Sequence, residues 1–541
     1  MILEFRLDYR SSSQVYEKIF LRTLKELCLD GKILKEHFLL KLYVEADEAE
    51  KLEEFATLLA RNLPHSIFLY NTEASIVDEM PEGEYVLDTK DKLSMPFCPK
   101  CAKESIEYDH PSYFDIFTEC EVCGYGTKGE SRSYKDEIQQ AVISISSGQT
   151  LKINTHYGSY IVGVLSSKCT KMEFDVIAYD LATIMKYAEI EEYGIQALGS
   201  FEKPFVQLKT RDDFKDSFGL DNSDFVRFKL PDDMILHLLM EELHHLDIEA
   251  IYISKDKTKL HEELLLLEYK QNMEPIEVVA SPKHIAIISG CKGLPLVSES
   301  KDPRSLPDMF NAVIEEHRLK HESIASINLS KEHKNNILVR GEKYGIIEYL
   351  SLSFTFDSIA SIFKDIIDSD ENGGKIILNY RKTYPEYFEK LTKIVFENHN
   401  FNIYRLWGII SIILNLSDTD DTLEAAEVLS INSMLFMGEK GPSIDYKLLN
   451  RDGKVYLDPL MTIRTAMSFK LAGVEPLTLS YGIVESFCEF LSNELDEVKQ
   501  NMGVAATVVT GSLLGNRRLF IKLSKEASVN HSIYFANELP V

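Results

Sequence analysis

Four of the eight cysteines in this chain are spaced as metal ligands. Cys98-Pro-Lys-Cys101 is separated by eighteen residues from Cys120-Glu-Val-Cys123. Each Cys-x-x-Cys turn directs two thiolates to one point, and two such turns complete a tetrahedral four-cysteine site of the kind that binds zinc. Four protein ligands leave no open coordination position, so the predicted zinc is structural. The alternative is two redox-active dithiols.

A histidine pair is a second metal candidate. In Glu315-Glu-His317-Arg-Leu-Lys-His321, the two imidazoles are four residues apart, which places them on one face of a helix. That spacing can chelate a divalent ion. The many charged neighbours favour the alternative, in which both histidines are solvated on an exposed helix.

Composition and charge limit the class of protein. The chain has 541 residues, with 86 Asp and Glu against 59 Lys and Arg, and a formal net charge of −27. Such a surface repels phosphate backbones, so we expect no nucleic-acid partner. The strongly apolar run 407–416 is half of the ~20 residues that a membrane span needs, and the first residues are charged where a signal peptide would be apolar. We expect a cytoplasmic protein that does not span a membrane.

Hydrophobic periodicity divides the chain into α/β segments around the cysteines. Residues 1–92 alternate strand-like and helical patterns in an order that resembles β-α-β-β-α-β, a ferredoxin-like layout. Tyr16, Phe20 and Leu24 recur at helical spacing there, and 65–71 and 84–88 are strand-like runs. Residues 93–130 hold the cysteines. A second α/β pattern covers 131–275 and begins with a helix predicted to end at Gly148, and 276–541 mixes short strands with long amphipathic helices, including one over 481–500. The predicted fold class is therefore α/β and α+β with several domains.

In this order, these segments resemble the hydrogenase maturation carbamoyltransferase (HypF) family. The cysteine segment matches well, with Glu104 after the first pair and Phe117-Thr118 ahead of the second. The resemblance implies an acylphosphatase-like domain over 1–92, a zinc-finger module over 93–130 and a YrdC-like domain over 131–275. It also implies a carbamoyltransferase-like C-terminal domain over 276–541, with an actin/sugar-kinase-like α/β fold. The family carries two such fingers and this chain carries one.

The resemblance implies phosphate and nucleotide sites that this chain keeps only in part. In the first domain Arg10 stands where the family places a phosphate-binding Arg, but the glycines of that loop are missing, and a solvated Arg is the alternative. In the C-terminal domain, Gly511 and Asn516 match a loop that touches nucleotide. Its second glycine is replaced by Ser512.

In the YrdC-like domain Ser200 and Ser254 match family positions. The basic run that binds triphosphate and carbamoyl adenylate in the family is replaced, although Lys168 and Lys171 lie nearby. The replacing residues are Ser166, Ser167, Cys169, Met172 and Glu173.

Two functions follow from the resemblance. The first is carbamoyl transfer, in which carbamoyl phosphate and ATP with Mg²⁺ give carbamoyl adenylate, whose carbamoyl group passes to a cysteine of a HypE-like partner in nickel–iron hydrogenase assembly. The second is a catalytically eroded, zinc-binding scaffold or regulatory partner. The loss of the basic run favours the second, because function depends on the site and not on the fold.

Overall fold

The structure is a computed structural model. It describes residues 1–83 apart from 12 and 37, residue 85, residues 96–255 apart from 124, 127–128 and 222, and residues 275–290. Beyond these it describes 310, 313–314, 316–319, 322–397, 400–451 and 454–535.

The first sheet is antiparallel and belongs to a ferredoxin-like head. Its strands lie in the order β2-β3-β1-β4 and are joined as β-α-β-β-α-β. The apolar residues predicted to line helix α1, such as Tyr16, Phe20 and Leu24, are buried. The elements of the head are β1 (Ile2–Tyr9), α1 (Val15–Leu27), β2 (Asp30–Glu36), β3 (Leu39–Glu45), α2 (Ala49–Asn62) and β4 (Leu69–Val77).

The predicted ferredoxin-like order is confirmed, although one strand was not predicted and one predicted strand is shifted. The sequence pattern missed Asp30–Glu36, because its charged residues hide the alternation of a strand that is exposed at the sheet edge. The predicted strand 65–71 is shifted, since the strand begins at Leu69. The predicted strand at 84–88 falls largely outside the described residues.

The second sheet is mixed, and in the described part of the chain it has nine strands. Eight of them lie in the order β13-β12-β9-β10-β7-β11-β6-β5, and β8 pairs with β9. Its strands are β5 (Leu151–Thr155), β6 (Gly158–Val164), β7 (Asp175–Ala178), β8 (Ala188–Glu189), β9 (Phe205–Thr210), β10 (Phe225–Lys229), β11 (Ala250–Ser254), β12 (Glu277–Ala280) and β13 (Ile285–Ser289).

Six helices accompany the cysteine module and the second sheet in the described residues. The predicted helix that ends before Gly148 is confirmed, and Gly148 has a positive φ of 85° as a C-terminal glycine should. These helices are α3 (Pro99–Ile106), α4 (Lys135–Ser146), α5 (Leu181–Tyr187), α6 (Glu192–Leu198), α7 (Asp212–Phe218) and α8 (Met234–His244).

The third sheet has the order β19-β20-β16-β15-β14-β21-β22. Strand β14 pairs antiparallel with β15 and parallel with β21, so the sheet is mixed at its centre. Its strands are β14 (Ile324–Asn328), β15 (Asn336–Gly341), β16 (Gly345–Ser351), β19 (Lys447–Arg451), β20 (Lys454–Asp458), β21 (Ala506–Thr510) and β22 (Ser532–Phe535); β17 (Phe354–Thr355) and β18 (Asn400–Phe401) pair separately.

Long helices make up most of the remaining described residues. The helix predicted over 481–500 is confirmed and is longer, from Pro476 to Met502. The helices are α9 (Ile359–Ser369), α10 (Glu371–Thr383), α11 (Pro385–Leu391), α12 (Ile403–Ile413), α13 (Thr422–Leu435), α14 (Pro459–Leu471), α15 (Pro476–Met502) and α16 (Arg517–Ala527).

The chain forms two compact units. The first comprises 1–285 and 289–301, and the second comprises 286–288 and 302–541. The first unit therefore includes strand β12, which pairs in parallel with β9. The four domain ranges 1–92, 93–130, 131–275 and 276–541 stay predictions. No described helix is long and apolar enough to cross a membrane.

A buried carboxyl group on α15 makes the stability of the protein depend on pH. Glu494 is 6% exposed, and among the described residues its Oε2 has no hydrogen-bond partner. Burial, together with the nearby charge of Glu497, raises the pKa of Glu494 from 4.5 to about 7. The folded state therefore holds this proton more tightly than the unfolded state. Stability is lost as the pH rises from about 4.5 to about 7.

We predict that Glu494→Gln stabilises the protein at pH 8 by about 1–3 kcal/mol and has little effect near pH 4.5, because glutamine has no charge to desolvate. Chemical denaturation at the two pH values measures the difference. Glu489→Gln, which changes an exposed residue of the same helix, is the control. Equal effects of the two variants at pH 8 would contradict the prediction.

Candidate functional site

The four predicted cysteine ligands converge. Their sulfurs all lie within 4.8 Å of one another, with Cys98 Sγ 3.6 Å from Cys101 Sγ, and Cys101 Sγ 3.8 Å from Cys123 Sγ. Zn–S bonds of about 2.3 Å in a tetrahedron place the sulfurs about 3.8 Å apart. The donor set and its spacing therefore fit a zinc ion, and this is the one such cluster of three or more ligands in the described residues.

Local structure explains how each pair is held. Cys98 is the N-cap residue of α3, with Pro99 in the first turn, so Cys98 and Cys101 lie on the same turn of helix. In the second pair the N–H of Cys120 donates to the Tyr125 carbonyl over 2.8 Å, which closes the turn around Cys123. Cys98, Cys101 and Cys123 are buried.

The electrostatics of the cluster favour a bound cation. Hydrogen bonding from Cys101 lowers the pKa of the Cys120 thiol, while hydrogen bonding with Cys120 raises the pKa of the Cys101 thiol. Crowded sulfurs cannot all ionise without a counter-charge, so neighbouring thiols share protons. A divalent metal supplies that charge and allows all four to act as thiolates.

Aromatic and polar contacts attach the cysteine module to the second sheet. Phe97 precedes the first cysteine, and its ring lies 3.8 Å from Lys203 Nζ and 5.0 Å from the His237 ring. The Tyr125 hydroxyl accepts a 3.0 Å hydrogen bond from the N–H of Met234 at the start of α8. Both cysteine turns therefore contact the α/β layer through the aromatic residues beside them.

The loop that supplies Lys203 also contacts the head. The neighbouring Glu202 is 2% exposed and accepts hydrogen bonds from Ser66 Oγ at 2.7 Å and from the N–H of Ile67 at 3.0 Å. Lys203 has a positive φ of 45° and donates to the Pro231 carbonyl over 2.8 Å. Burial lowers the pKa of Lys203 to about 8. Two adjacent charged residues therefore connect three parts of the first unit.

Arg10 lies at the end of β1, where the sequence places it, but its guanidinium is already paired. Its Nη2 and Nε lie 2.9 and 3.2 Å from the Asp8 carboxylate, and the group stacks 3.8 Å from the Tyr70 ring centroid. The alternative of a solvated Arg is wrong, because the side chain is only 15% exposed. Its role in phosphate binding stays a prediction.

The predicted serine positions are buried and satisfied by the main chain. Ser200 Oγ donates to the Ala197 carbonyl over 2.7 Å, and Ser254 Oγ donates to the Glu173 carbonyl over 2.6 Å. Lys168 is exposed on a short 3-10 helix, Ser167–Lys171. The side chain of Lys171 is outside the described residues. A nucleotide site formed by these four residues stays a prediction.

In the second unit the candidate residues serve the fold. A side chain at Gly511, whose φ is 120°, would overlap the Leu329 carbonyl. The glycine therefore allows the backbone at Leu329 to lie against it. Asn516 is 1% exposed and caps α16 by accepting from the N–H of Leu519 over 3.0 Å. Its amide donates to Ser430 Oγ and Ser433 Oγ, each at 2.9 Å.

The histidine pair is described only in part. The His317 side chain is 4% exposed, so the expectation of a solvated histidine is wrong. Its ring lies 4.8 Å from the Tyr534 ring at a tilted angle, and its Nε2 lies 3.1 Å from the Phe535 carbonyl on β22. His317 is therefore buried against β22, although its neighbours in the sequence are charged. His321 lies outside the described residues, so the chelate stays a prediction.

Sequence reasoning missed a cavity of about 520 Å³ over the second sheet. Its charged wall centres on Arg227, which contacts Asp175, Glu277 and Glu173. Strand pairing aligns Phe228 with Val176, so Arg227 and Asp175, one residue earlier, are neighbours. The alternation of charged and apolar residues in Phe225–Lys229 was the available signal. The lining residues are Glu173, Asp175, Phe205, Arg227, Ser254, Lys255, Pro275, Glu277 and Ser289.

The fold and the thiol cluster define a multidomain α/β and α+β protein with a metal-type module of four cysteines, and comparisons with known proteins agree. The fold is that of HypF. HypF from T. kodakarensis matches with a TM-score of 0.66 at 12% identity, and a full-length HypF in phosphate- and nucleotide-bound form matches with a TM-score of 0.60 at 14% identity. Each match covers 99% of this chain and 96% of the other.

One curated protein shares sequence similarity along the chain. Protein HydE of Wolinella succinogenes is 24% identical over 516 residues, which cover 92% of each chain. No protein-family model matches. The predicted fold class is thus confirmed from end to end by structures of low sequence identity.

We predict that the protein contains one zinc per chain and that Cys120→Ser releases it. Losing the metal costs stability, because structural zinc contributes about 10–16 kcal/mol of binding free energy in small modules, part of which is folding free energy. Elemental analysis and thermal unfolding measure both effects. Cys28→Ser, at an exposed cysteine outside the cluster, is the control. Full zinc content and unchanged melting in the Cys120 variant would contradict the assignment.

Proposed function

We propose that this protein acts in hydrogenase maturation as a HypF-like, zinc-containing assembly partner. The observation that carries the proposal is the fold match over 99% of the chain to HypF structures. A likeness of such extent includes the head, the cysteine module and both α/β layers in one order. The proposed partner is a HypE-like maturation protein.

The pairing of basic side chains in the first unit favours an assembly partner over a carbamoyltransferase. A polyphosphate needs free donors and cations. Here Arg10 is paired with Asp8, Lys229 with Asp232, and Arg227 with Asp175. A ligand phosphate would have to displace an internal carboxylate at each position. Asn516 likewise donates to two serine hydroxyls inside the core.

The described residues that line the cavity of the second sheet hold phosphate poorly. Arg227 already contacts three carboxylates, those of Asp175, Glu277 and Glu173, and the phosphates of ATP would have to compete with them. The same carboxylates repel a triphosphate unless Mg²⁺ bridges the two. We derive no step through nucleotide at this cavity.

The proposed contribution of zinc is structural. Cys98, Cys101, Cys120 and Cys123 would hold the ion, which would fix the two turns that carry Phe97 and Tyr125. Those rings in turn position the module on the second sheet. Zinc supplies folding free energy at such a site, since all four positions are filled by thiolates.

The maturation role is tested in cells. We expect deletion of the chain to lower nickel–iron hydrogenase activity, and the wild-type protein to restore it. Cys120→Ser should restore much less than Cys28→Ser, because only the former disturbs the zinc module. Full hydrogenase activity in the deletion strain would overturn the proposal.

Carbamoyl transfer is the second candidate, favoured by the likeness to a HypF structure with phosphate and nucleotide bound. Calorimetry with ATP and Mg²⁺, and an assay for carbamoyl-phosphate-dependent release of pyrophosphate, separate the two. An assembly partner gives no saturable heat at millimolar ATP and no turnover. Turnover with carbamoyl phosphate would establish the enzyme and overturn the assembly-partner proposal.

A further inference from the structure

The cavity of the second sheet is lined by charged side chains from several neighbouring strands. Asp175 on β7, Arg227 on β10 and Glu277 on β12 line the same cavity, with Ser254 on β11 beside them. The volume of about 520 Å³ is in the range of about 300–1,000 Å³ typical of small-molecule sites. All of the described lining residues belong to the first compact unit.

The donors of Arg227 are directed at carboxylates. Its Nε lies 2.5 Å and its Nη2 lies 3.1 Å from Asp175, its Nη1 lies 3.4 Å from Glu277, and Nη2 also lies 3.4 Å from Glu173. The paired geometry with Asp175 is the strong bidentate kind. Four hydrogen bonds therefore already direct the N–H donors of the arginine at carboxylates, and an anionic ligand would have to compete with them.

Counted over the described lining residues alone, the charge of the cavity is negative. Three carboxylates are opposed by Arg227 and by Lys255, and Lys255 Nζ lies 5.9 Å from the Tyr160 ring. Glu277 is 20% exposed and Asp175 is 15% exposed, so their charges act in a medium that screens less than water. The ring of Phe205 provides an apolar wall in the same cavity.

We propose that this cavity binds a small organic cation, with an amine or guanidinium group beside Glu277 and Asp175 and an apolar chain along Phe205. The inference deepens the proposed function and rests on it for the idea that the cavity keeps a binding role. The chemistry of this cavity differs from that of a phosphate site, because internal carboxylates already pair with the arginine that a phosphate would need. Electrostatic complementarity then favours a positively charged ligand.

The test is calorimetry on the purified full-length protein, with agmatine as the cationic probe and inorganic pyrophosphate as the anionic probe. We expect saturable binding of agmatine and none of pyrophosphate. Glu277→Gln should weaken agmatine binding about tenfold, as expected for loss of one charge-assisted contact. Glu249→Gln is the matched control, because that carboxylate pairs with Lys186 and does not line the cavity.

Two further variants are expected to change affinity in the opposite direction, towards tighter agmatine binding or towards pyrophosphate binding. Arg227→Gln removes the internal cation and should strengthen agmatine binding, whereas Asp175→Asn with Glu277→Gln frees Arg227 and should create measurable pyrophosphate binding. Unchanged zinc content and melting show that each variant folds, and Glu277→Gln alone carries the test if the others do not. No saturable agmatine heat, or pyrophosphate binding to wild type that Arg227→Gln abolishes, would overturn the inference.

These outcomes are separate from those of the maturation assay. The calorimetry uses neither hydrogenase nor a partner protein, so a negative result leaves the cellular role intact. Conversely, agmatine binding with normal hydrogenase activity in the deletion strain would keep the ligand class and remove the proposed pathway.

Discussion

Two adjacent charged residues in the loop between α6 and β9, the buried Glu202 and the half-buried Lys203, connect the parts of the first unit. Glu202 accepts hydrogen bonds from the head at Ser66 and Ile67, and Lys203 contacts Phe97 of the cysteine module. Burying a charge costs several kcal/mol unless its partners are in place. The contacts of this loop with the head and with the cysteine module therefore link three segments that are distant in sequence.

The cysteine cluster lies next to the residues that form this link. A site of four cysteines alone fixes two short turns, but here the residues beside those turns, Phe97 and Tyr125, contact the α/β layer. The left-handed backbone at Lys203 is unusual for a residue with a side chain and costs free energy. The contacts of its ammonium with Pro231 and Phe97 offset that cost.

The same architecture supports different chemistry because fold and site are separable. The chain keeps the HypF fold at 12–14% identity, since apolar patterns and sheet order tolerate extensive substitution. Three basic side chains of the first unit, Arg10, Lys229 and Arg227, are each paired with a carboxylate of the same chain. A phosphate would have to compete with these internal carboxylates for the cations.

Sequence by itself determined the features that depend on local spacing. The two Cys-x-x-Cys pairs predicted a tetrahedral cluster, and hydrophobic periodicity predicted the ferredoxin-like order and the long helix around 481–500. Charge pairing across strands escaped that reasoning. Arg227 and Asp175 are 52 residues apart in the chain, and only strand pairing makes them neighbours. Tertiary structure also decided that Asn516 is a buried helix cap and that His317 is covered by β22, because burial depends on contacts between residues that no local pattern connects.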